Sequence, residues 1–352
     1  MLFYLLNTSL EVVDVIETYK SYIWTTRYFT SGDFELYIPA TNKMINMIKQ
    51  DYYVIREDDP TQAMIIKNIQ ITTSIDEGNF LIVTGPSLKS ILSRRIIWQQ
   101  TILSGYVEQC IRRLVNENCV NPSITDRKIN NMILGSELGI TDTMSIQFTG
   151  DNLEEAIQGI CKTFGLGYDV MLDLDNKKFI FILYKGTDRS YNQNVVPYVV
   201  FSNEFENLLR TDYSNDTTEY KNVAKVAGEG EGTARKNVTV GNASGLDRYE
   251  VFVDARDMST NEGEIDLTTY NGLLAERGNE ALAETIIKES IEGEVEANHT
   301  YKINEDYFLG DIVEVINEYG MEMTPRITEV IESEDDTGHY TIPTFSTDQE
   351  EG

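Results

Sequence analysis

Short runs of alternating apolar and polar residues, cut apart by turn clusters, fill the first ninety-odd positions, and a chain so patterned has few folds open to it. Val13 and Val15, then Tyr22 and Trp24, stand two apart, as on half-buried strands. Ser31–Gly32–Asp33 turns the chain into Phe34–Glu35–Leu36–Tyr37–Ile38, which Pro39 ends. Asn42 to Lys49 reads as a short helical piece, with Met44, Ile45 and Ile48 at helical spacing, before Tyr52–Tyr53–Val54–Ile55 resumes the strands. Met64 to Thr73 and Phe80 to Thr84 flank the turn residues Asp76–Glu77–Gly78–Asn79 and make another hairpin. Residues 1–96 therefore read as a domain of mainly antiparallel β structure.

The pattern changes at Pro86. Ser87 to Arg95 is a short helical run, and Ser104 is placed to cap a helix carrying Val107, Ile111, Leu114 and Val115 on one face. A stronger helix signal follows the polar connection at Asn121–Pro122. Asp151 and Glu154 form a capping-box-like start, Leu153, Ala156, Ile157, Ile160, Cys161 and Phe164 fall on one face, and Gly165 stops the run. Tyr168 to Leu174 and Lys177 to Tyr184 then flank Asp175–Asn176 as a two-residue hairpin loop. Asp173, Asp175 and Asn176 do not make a calcium loop, because Lys178 and Tyr184 stand where its glycine and glutamate belong. Residues 97–196 read as an α/β insertion.

Residues 197–345 return to strands, with a run from Glu204 to Thr211. Tyr270 to Ile291 reads as the longest helix, its inner face formed by Leu274, Ala281, Leu282 and Ile286, with Gly278 weakening its middle by about 1 kcal/mol and inviting a bend. Ile312 to Ile316 and Met321 to Glu332 are strands about the turn Glu318–Tyr319–Gly320, with Pro325 at an edge or bulge. The last dozen or so residues, including the tail 346–352, are polar, acidic and expected to fray.

Tyr220 to Asp257 is the most unusual stretch. Two Val- and Ala-rich runs surround a glycine–glutamate repeat at Gly228, Glu229, Gly230, Glu231 and Gly232, with a second turn cluster at Gly241–Asn242–Ala243–Ser244–Gly245. Thr233 stands where a dinucleotide motif needs its third glycine, no Gly-Lys-Ser/Thr follows, and two carboxylates would repel a phosphate. The reading is two or three strands joined by mobile, acidic connections that bind no ligand. Glu229 and Glu231 are candidate metal ligands or a paired acid and base, as in a glycosidase, set against the simpler reading of solvated turn charge, which the absence of a nearby His favours.

Little else in the chain invites chemistry. His299 and His339 are its two histidines, both in polar settings, and no GxSxG, HExxH or DxDxDG pattern occurs. Cys110, Cys119 and Cys161 make an odd count without CxxC spacing, which argues against a zinc site and a disulfide framework and for small apolar roles. The site reading is accordingly catalytic none, cofactor none and metal none. A formal charge of -29, from 58 carboxylates against 29 Lys and Arg, repels phosphate backbones and disfavours a nucleic-acid reader. MLFYLLN is too short for a signal peptide's apolar region, and no window approaches a membrane span of roughly 18 apolar residues.

Several pieces carry a family resemblance through their order and spacing. They are Trp24–Thr25–Thr26–Arg27–Tyr28 with Gly32 to Leu36, the run GPSLKSILSRR from Gly85 to Arg95, Tyr220 to Ala224 with the glycine–glutamate repeat, RYEVFVDARD from Arg248 to Asp257, and Tyr307 to Val313 with Ile327 to Val330. Together they resemble the small tail hub proteins of siphophages of Gram-positive bacteria, which are related in fold to contractile-tail baseplate hubs and to the N-terminal part of tail-associated lysins. The insertion contributes least to the match.

The resemblance implies an α+β, mainly antiparallel β subunit with two β-barrel-like hub domains and the α/β insertion, expected to form a homotrimeric ring. Such a ring would adapt a sixfold tail tube and distal tail protein to a threefold tip, tail fibre or receptor-binding protein. Its lumen would pass the tape-measure protein and then DNA, without sequence-specific binding. The implied location is the virion tail tip, assembled in host cytoplasm, and the implied role is structural rather than enzymatic. Because the chain ends at Gly352, soon after the last recognisable strand, any lytic or receptor-binding activity is expected in another protein. The alternatives are a peptidoglycan-degrading glycosidase using Glu229 and Glu231, and a host-surface adhesin suggested by 20 Tyr.

Overall fold

The alternation in the first third produces paired strands, but one run there serves two sheets. In the computed structural model, which describes residues 1–74, 78–208, 210–294 and 301–347, this third holds β1 (Phe3–Leu6), β2 (Val12–Ile16), β3 (Ser21–Arg27), β4 (Asp33–Pro39), α1 (Asn42–Met47), β5 (Tyr53–Arg56), β6 (Ala63–Ile65), β7 (Asn68–Ser74) and β8 (Gly78–Pro86). The single strand read over Met64 to Thr73 is two. Ile66 N–H bonds Tyr52 O at 2.8 Å while Lys67 N–H bonds Thr84 O at 3.0 Å, so adjacent residues serve different sheets. The turn residues Asp76 and Glu77, His299 and the tail residues 348–352 lie outside the described residues.

The middle third comprises β9 (Thr101–Tyr106), α2 (Val107–Val115), β10 (Met132–Leu134), β11 (Thr143–Phe148), α3 (Leu153–Thr163), β12 (Gly167–Asp173) and β13 (Lys178–Tyr184). Ser104 does not cap a helix; it lies within β9 opposite Ser145, and α2 begins after Tyr106. The cap of α3 is Asn152, one residue past Asp151, its side chain accepting from the N–H groups of Glu154 and Glu155. The β12–β13 loop has four residues rather than two, since Asp173 pairs with Lys178 and the positive φ falls at Lys177.

The last third adds β14 (Val200–Ser202), β15 (Arg210–Asp216), β16 (Val223–Ala227), β17 (Asn237–Val240), β18 (Glu250–Asp254), α4 (Leu267–Glu284), β19 (Lys288–Glu294), β20 (Glu314–Ile316), β21 (Glu322–Met323), β22 (Arg326–Asp335) and β23 (Gly338–Thr347). Residues 203–206 form a turn, so the strand expected from Glu204 starts at Arg210. The helix expected over Tyr270 to Ile291 ends at Glu284, because 288–294 is drawn out between β15 and β23. Ile286 is therefore not on its inner face, which consists of Tyr270, Leu273, Leu274 and Gly278. Pro325 splits the strand expected over Met321 to Glu332. Lacking an N–H, it stands between β21 and β22 and uses its carbonyl to accept from Val313. Of the C-terminal dozen expected to fray, residues 341–347 belong to β23, and 348–352 lie outside the described residues.

The strands form an eight-stranded sheet in the order β15-β19-β23-β22-β3-β4-β8-β7, a four-stranded sheet β2-β1-β5-β6, and smaller sheets. Phe3, Leu5, Val54 and Met64 of the four-stranded sheet pack on Tyr22, Trp24, Phe34, Leu36 and Val83 of the large one. Its other face, with Leu6, Tyr53, Ile55 and Ile65, packs on α2, α3 and the β12–β13 hairpin. Burial on both faces explains why Tyr53–Val54–Ile55 does not alternate. The far half of the large sheet covers a third core of Phe201, Val313, Val315, Ile327 and Phe345 with the small sheet β14-β20-β21. A fourth core lies between α4 and the sheet β17-β16-β18. The architecture is α+β and mainly antiparallel, as expected. None of the strand orders returns on itself among the described residues, so the barrel-like halves expected are open sheets backed by other layers.

Gly278 owes its place to this packing rather than to a bend. A β-carbon there would lie 2.7 Å from Val240 Cγ2 and 2.8 Å from Val226 Cγ2, whereas one on Gly272 in the same helix meets nothing within 4 Å. The two alanine replacements should have opposite signs. Gly272→Ala is expected to stabilise by about 1 kcal/mol through helix propensity. Gly278→Ala is expected to destabilise by roughly 1–2 kcal/mol through overpacking, both read as shifts in the urea midpoint.

Candidate functional site

The glycine–glutamate repeat folds into a pinned connection rather than a mobile one. Glu229 follows β16, and its carboxylate accepts from Thr260 N at 3.0 Å and Thr260 Oγ1 at 2.8 Å. Its own N–H donates to Tyr270 Oη at 2.8 Å, and that hydroxyl donates to Met258 O at 2.9 Å. Arg235 closes the loop from the other side by donating to Gly228 O, Ala227 O and Asp254. Gly230 and Gly232 take positive φ, and Tyr270 Oη fills the space beside Gly228 that a side chain would need. Glu231 is exposed at the tip. The two carboxylates thus have separate roles, one fastening the loop to Thr260 ahead of α4 and the other solvated.

The remaining candidates also have structural partners. Cys110, Cys119 and Cys161 are buried and unbridged, and burial pushes the Cys119 and Cys161 thiols up to about 12, far from a reactive thiolate. Asp173 accepts from Asn176 N at 3.0 Å and Asn176 Nδ2 at 2.8 Å, which is turn chemistry. His339 is exposed on β23 opposite Glu334. Among the described residues no group of three or more His, Cys, Asp or Glu is placed to hold a metal ion.

A seam that sequence reasoning missed lies where β3, the β12–β13 hairpin and the 303–309 segment meet. It encloses about 240 Å³ and is lined by Trp24, Arg56, Lys89, Asp169, Tyr184 and Phe308 among others. Arg56 donates to Asp58 and to Glu332 Oε2 at 2.6 Å, joining β5 to β22 across the two large sheets, and lies 5.6 Å from the Trp24 ring. Lys89 is 3% exposed, donates to the Arg27 and Thr30 carbonyls and sits 5.0 Å from the Tyr168 ring. Burial pulls its pKa below the ordinary lysine value, with Asp169 the strongest opposing influence. Asp169 accepts from Gln62 Nε2 at 2.6 Å and Val170 N at 2.7 Å. These charges are engaged within the fold. The readable signal was a single cation beside each apolar run, Arg56 after Tyr53–Val54–Ile55 and Lys89 after Leu88.

The large sheet offers the most extended surface. Cross-strand register places Ile23, Arg27, Asp33 and Glu35 on the face opposite the core, with Glu329 across from Arg27. Arg27 pairs with both Glu329 and Asp33 on that face, and Asp33 and Glu35 are exposed. Among the described residues the outermost strands of the sheet, seven residues each, are β7 on one side and β15 on the other.

A sequence model described as Siphovirus ReqiPepy6 Gp37-like protein matches residues 2–345. The chain belongs to this family. Its fold is shared with a tail protein from Neisseria meningitidis MC58, at TM-score 0.58 and 14% identity over 98% of this chain and 96% of that one. It is likewise similar to the 43 kDa tail protein of prophage MuSo2 from Shewanella oneidensis, at 0.60 and 14% over 99% of both chains. Prophage tail protein gp18 from Listeria monocytogenes EGD-e aligns at 0.52 and 12% over 99% of this chain and 95% of that one. No curated protein sequence matches. The Gp37-like chain therefore has the fold of phage tail proteins along nearly its whole length, residues 97–196 included.

The buried ion pair gives a direct test of what holds the seam. Arg56→Met leaves Glu332, 13% exposed, without its cation and is expected to destabilise by about 3 kcal/mol. Adding Glu332→Leu should recover part of that loss, as read by urea unfolding.

Proposed function

We propose that this Gp37-like protein is a structural subunit of a siphovirus tail tip, a hub of which three copies close a ring. The observation that carries this reading is the construction of the eight-stranded sheet. Four strands (β3, β4, β8, β7) come from residues 1–96 and four (β15, β19, β23, β22) from residues 210–347. Each half covers its own core and is backed by its own small sheet. A subunit with two similar halves presents six such units in a trimer, which suits a junction between sixfold and threefold parts.

The outermost strands supply the means of closure. An unpaired edge is a template for another strand, and a contact between two different surfaces propagates head to tail until it closes as a ring. Here β15 of one copy would meet β7 of the next, so the open sheets join into the barrel-like wall that one subunit lacks. The face bearing Asp33, Glu35 and Glu329 would line the lumen, where carboxylates keep phosphates from adhering and DNA slides rather than binds. On this reading residues 97–196 are an insertion on the outside of the wall. The partners are the distal tail protein, the tape-measure protein and a tail fibre or receptor-binding protein. The role is structural and non-enzymatic, in a virion assembled in the host cytoplasm.

Mass photometry should find a species of three times the 40.0 kDa chain mass, and electron microscopy a threefold ring with a central hole. Ile71→Lys, at an exposed position on the β7 edge, should weaken assembly at least tenfold while leaving circular dichroism unchanged. A protein that stays monomeric at high concentration and shows no ring contradicts the proposal.

A further inference from the structure

Residues 217–287 leave the large sheet and return to it at one point. β15 and β19 are antiparallel neighbours paired from Arg210 opposite Glu294 to Asp216 opposite Lys288, so everything between them hangs from the end of a two-stranded ladder. The hanging segment has its own sheet, β17-β16-β18, and its own core of Ala224, Val226, Met258, Tyr270, Leu273 and Leu274. It touches the insertion chiefly through α4, which lies against α3 and β11.

Beside Ile102 of β9, which packs against that core, the contact carries buried polar groups that are incompletely paired. Gln147 of β11 is 0% exposed, and neither atom of its side-chain amide has a hydrogen-bond partner among the described residues. Arg277 of α4 donates through Nη2 to Gln147 O at 2.9 Å and Asp257 at 3.3 Å and lies 5.6 Å from the Phe148 ring, but its Nε makes no hydrogen bond. Glu280, 3.8 Å from Arg277, lies across Gly159 of α3, where its Oε1 occupies the space a β-carbon would need. Buried polar atoms left unpaired cost free energy, so an interface built this way holds less firmly than the cores on either side of it.

We propose that residues 217–287 are a hinged flap, latched onto α3 and β11 through Glu280, and that ionisation of Glu280 releases it. Burial is the main cause that pushes the Glu280 carboxyl up to about 7; Arg277 opposes the rise, and Glu284 and Asp151 add to it. The other charges about the contact are Glu276 on α4, and Glu155 and Lys162 on α3, at helical spacing from Gly159. In an open flap the carboxyl would return to its ordinary value of 4.5. The closed form therefore binds the proton more tightly. Its advantage is complete below about 4.5, shrinks as pH rises, and is fully lost above about 7.

Spin labels at Asp175→Cys, on the exposed β12–β13 turn, and Thr239→Cys, on the exposed face of β17, would report the distance from insertion to flap by double electron–electron resonance. The native cysteines are buried, and labelled protein is diluted with unlabelled protein so that distances stay within one chain. Between pH 5.5 and 8.5 the open-to-closed ratio should rise roughly thirtyfold, seen as a second, longer distance. Glu280→Gln, neutral at every pH, should keep the single short distance at both. An unchanged distribution in the unmodified protein overturns the latch, and so does the same pH response in Glu280→Gln.

Discussion

The pairing of β3 with β22 is the contact on which the rest depends. Glu329 lies opposite Arg27, Val330 opposite Thr26 and Glu332 opposite Trp24, so residues some three hundred positions apart become neighbours in one sheet. Without that ladder the chain would be two separate four-stranded units. With it, the first and last thirds share a continuous wall, and the middle third has a surface on which to pack. Closing so large a loop costs entropy that only the completed cores on both sides return.

Side chains reinforce the ladder at both of its faces. On the core face, Arg56 joins β5 to Glu332 of β22, and on the other, Arg27 joins Glu329 to Asp33. Tyr28, 0% exposed, follows β3 and has a hydroxyl that donates to Gly165 O at 3.1 Å and accepts from Gly186 N at 3.3 Å, while its N–H bonds Thr328 O. Arg326 lies over its ring and donates to Gly310 O at 2.8 Å, and the neighbouring Asp311 carboxylate accepts from Thr187, Arg189 and Phe308. Two of the stretches that carry the family resemblance, Trp24 to Tyr28 and Tyr307 to Val313, thus meet at one junction.

Local pattern was readable wherever a residue's neighbours in sequence decide its environment. The hairpins of β3–β4 and β12–β13, the small helix α1 and the apolar face of α3 all followed from spacing and turn residues. Helix ends and strand ends did not. Whether 285–291 continues α4 depends on β15 and β23 offering it hydrogen bonds, and whether 64–73 is one strand depends on Tyr52 and Thr84 claiming adjacent amides. The candidate pair Glu229 and Glu231 was visible as two carboxylates, but only the arrival of Thr260 and Tyr270 shows that one is structural. Arg56 and Lys89 were overlooked because a lone cation beside an apolar run has no meaning until its partners, from distant segments, are known.

The amino-acid sequence by itself determined the class of structure, the absence of a recognisable catalytic motif, the family likeness and most hairpins, because those rest on period-two alternation, turn chemistry and residue inventory. Tertiary structure alone decided that two open halves form one sheet, that its edges lie at Asn68–Ser74 and Arg210–Asp216, and that residues 217–287 hang from a single ladder end. Each of these is a pairing between strands far apart in the chain. Strand pairing is set by which backbone amides and apolar faces remain unsatisfied after local folding, and no window of sequence contains that information.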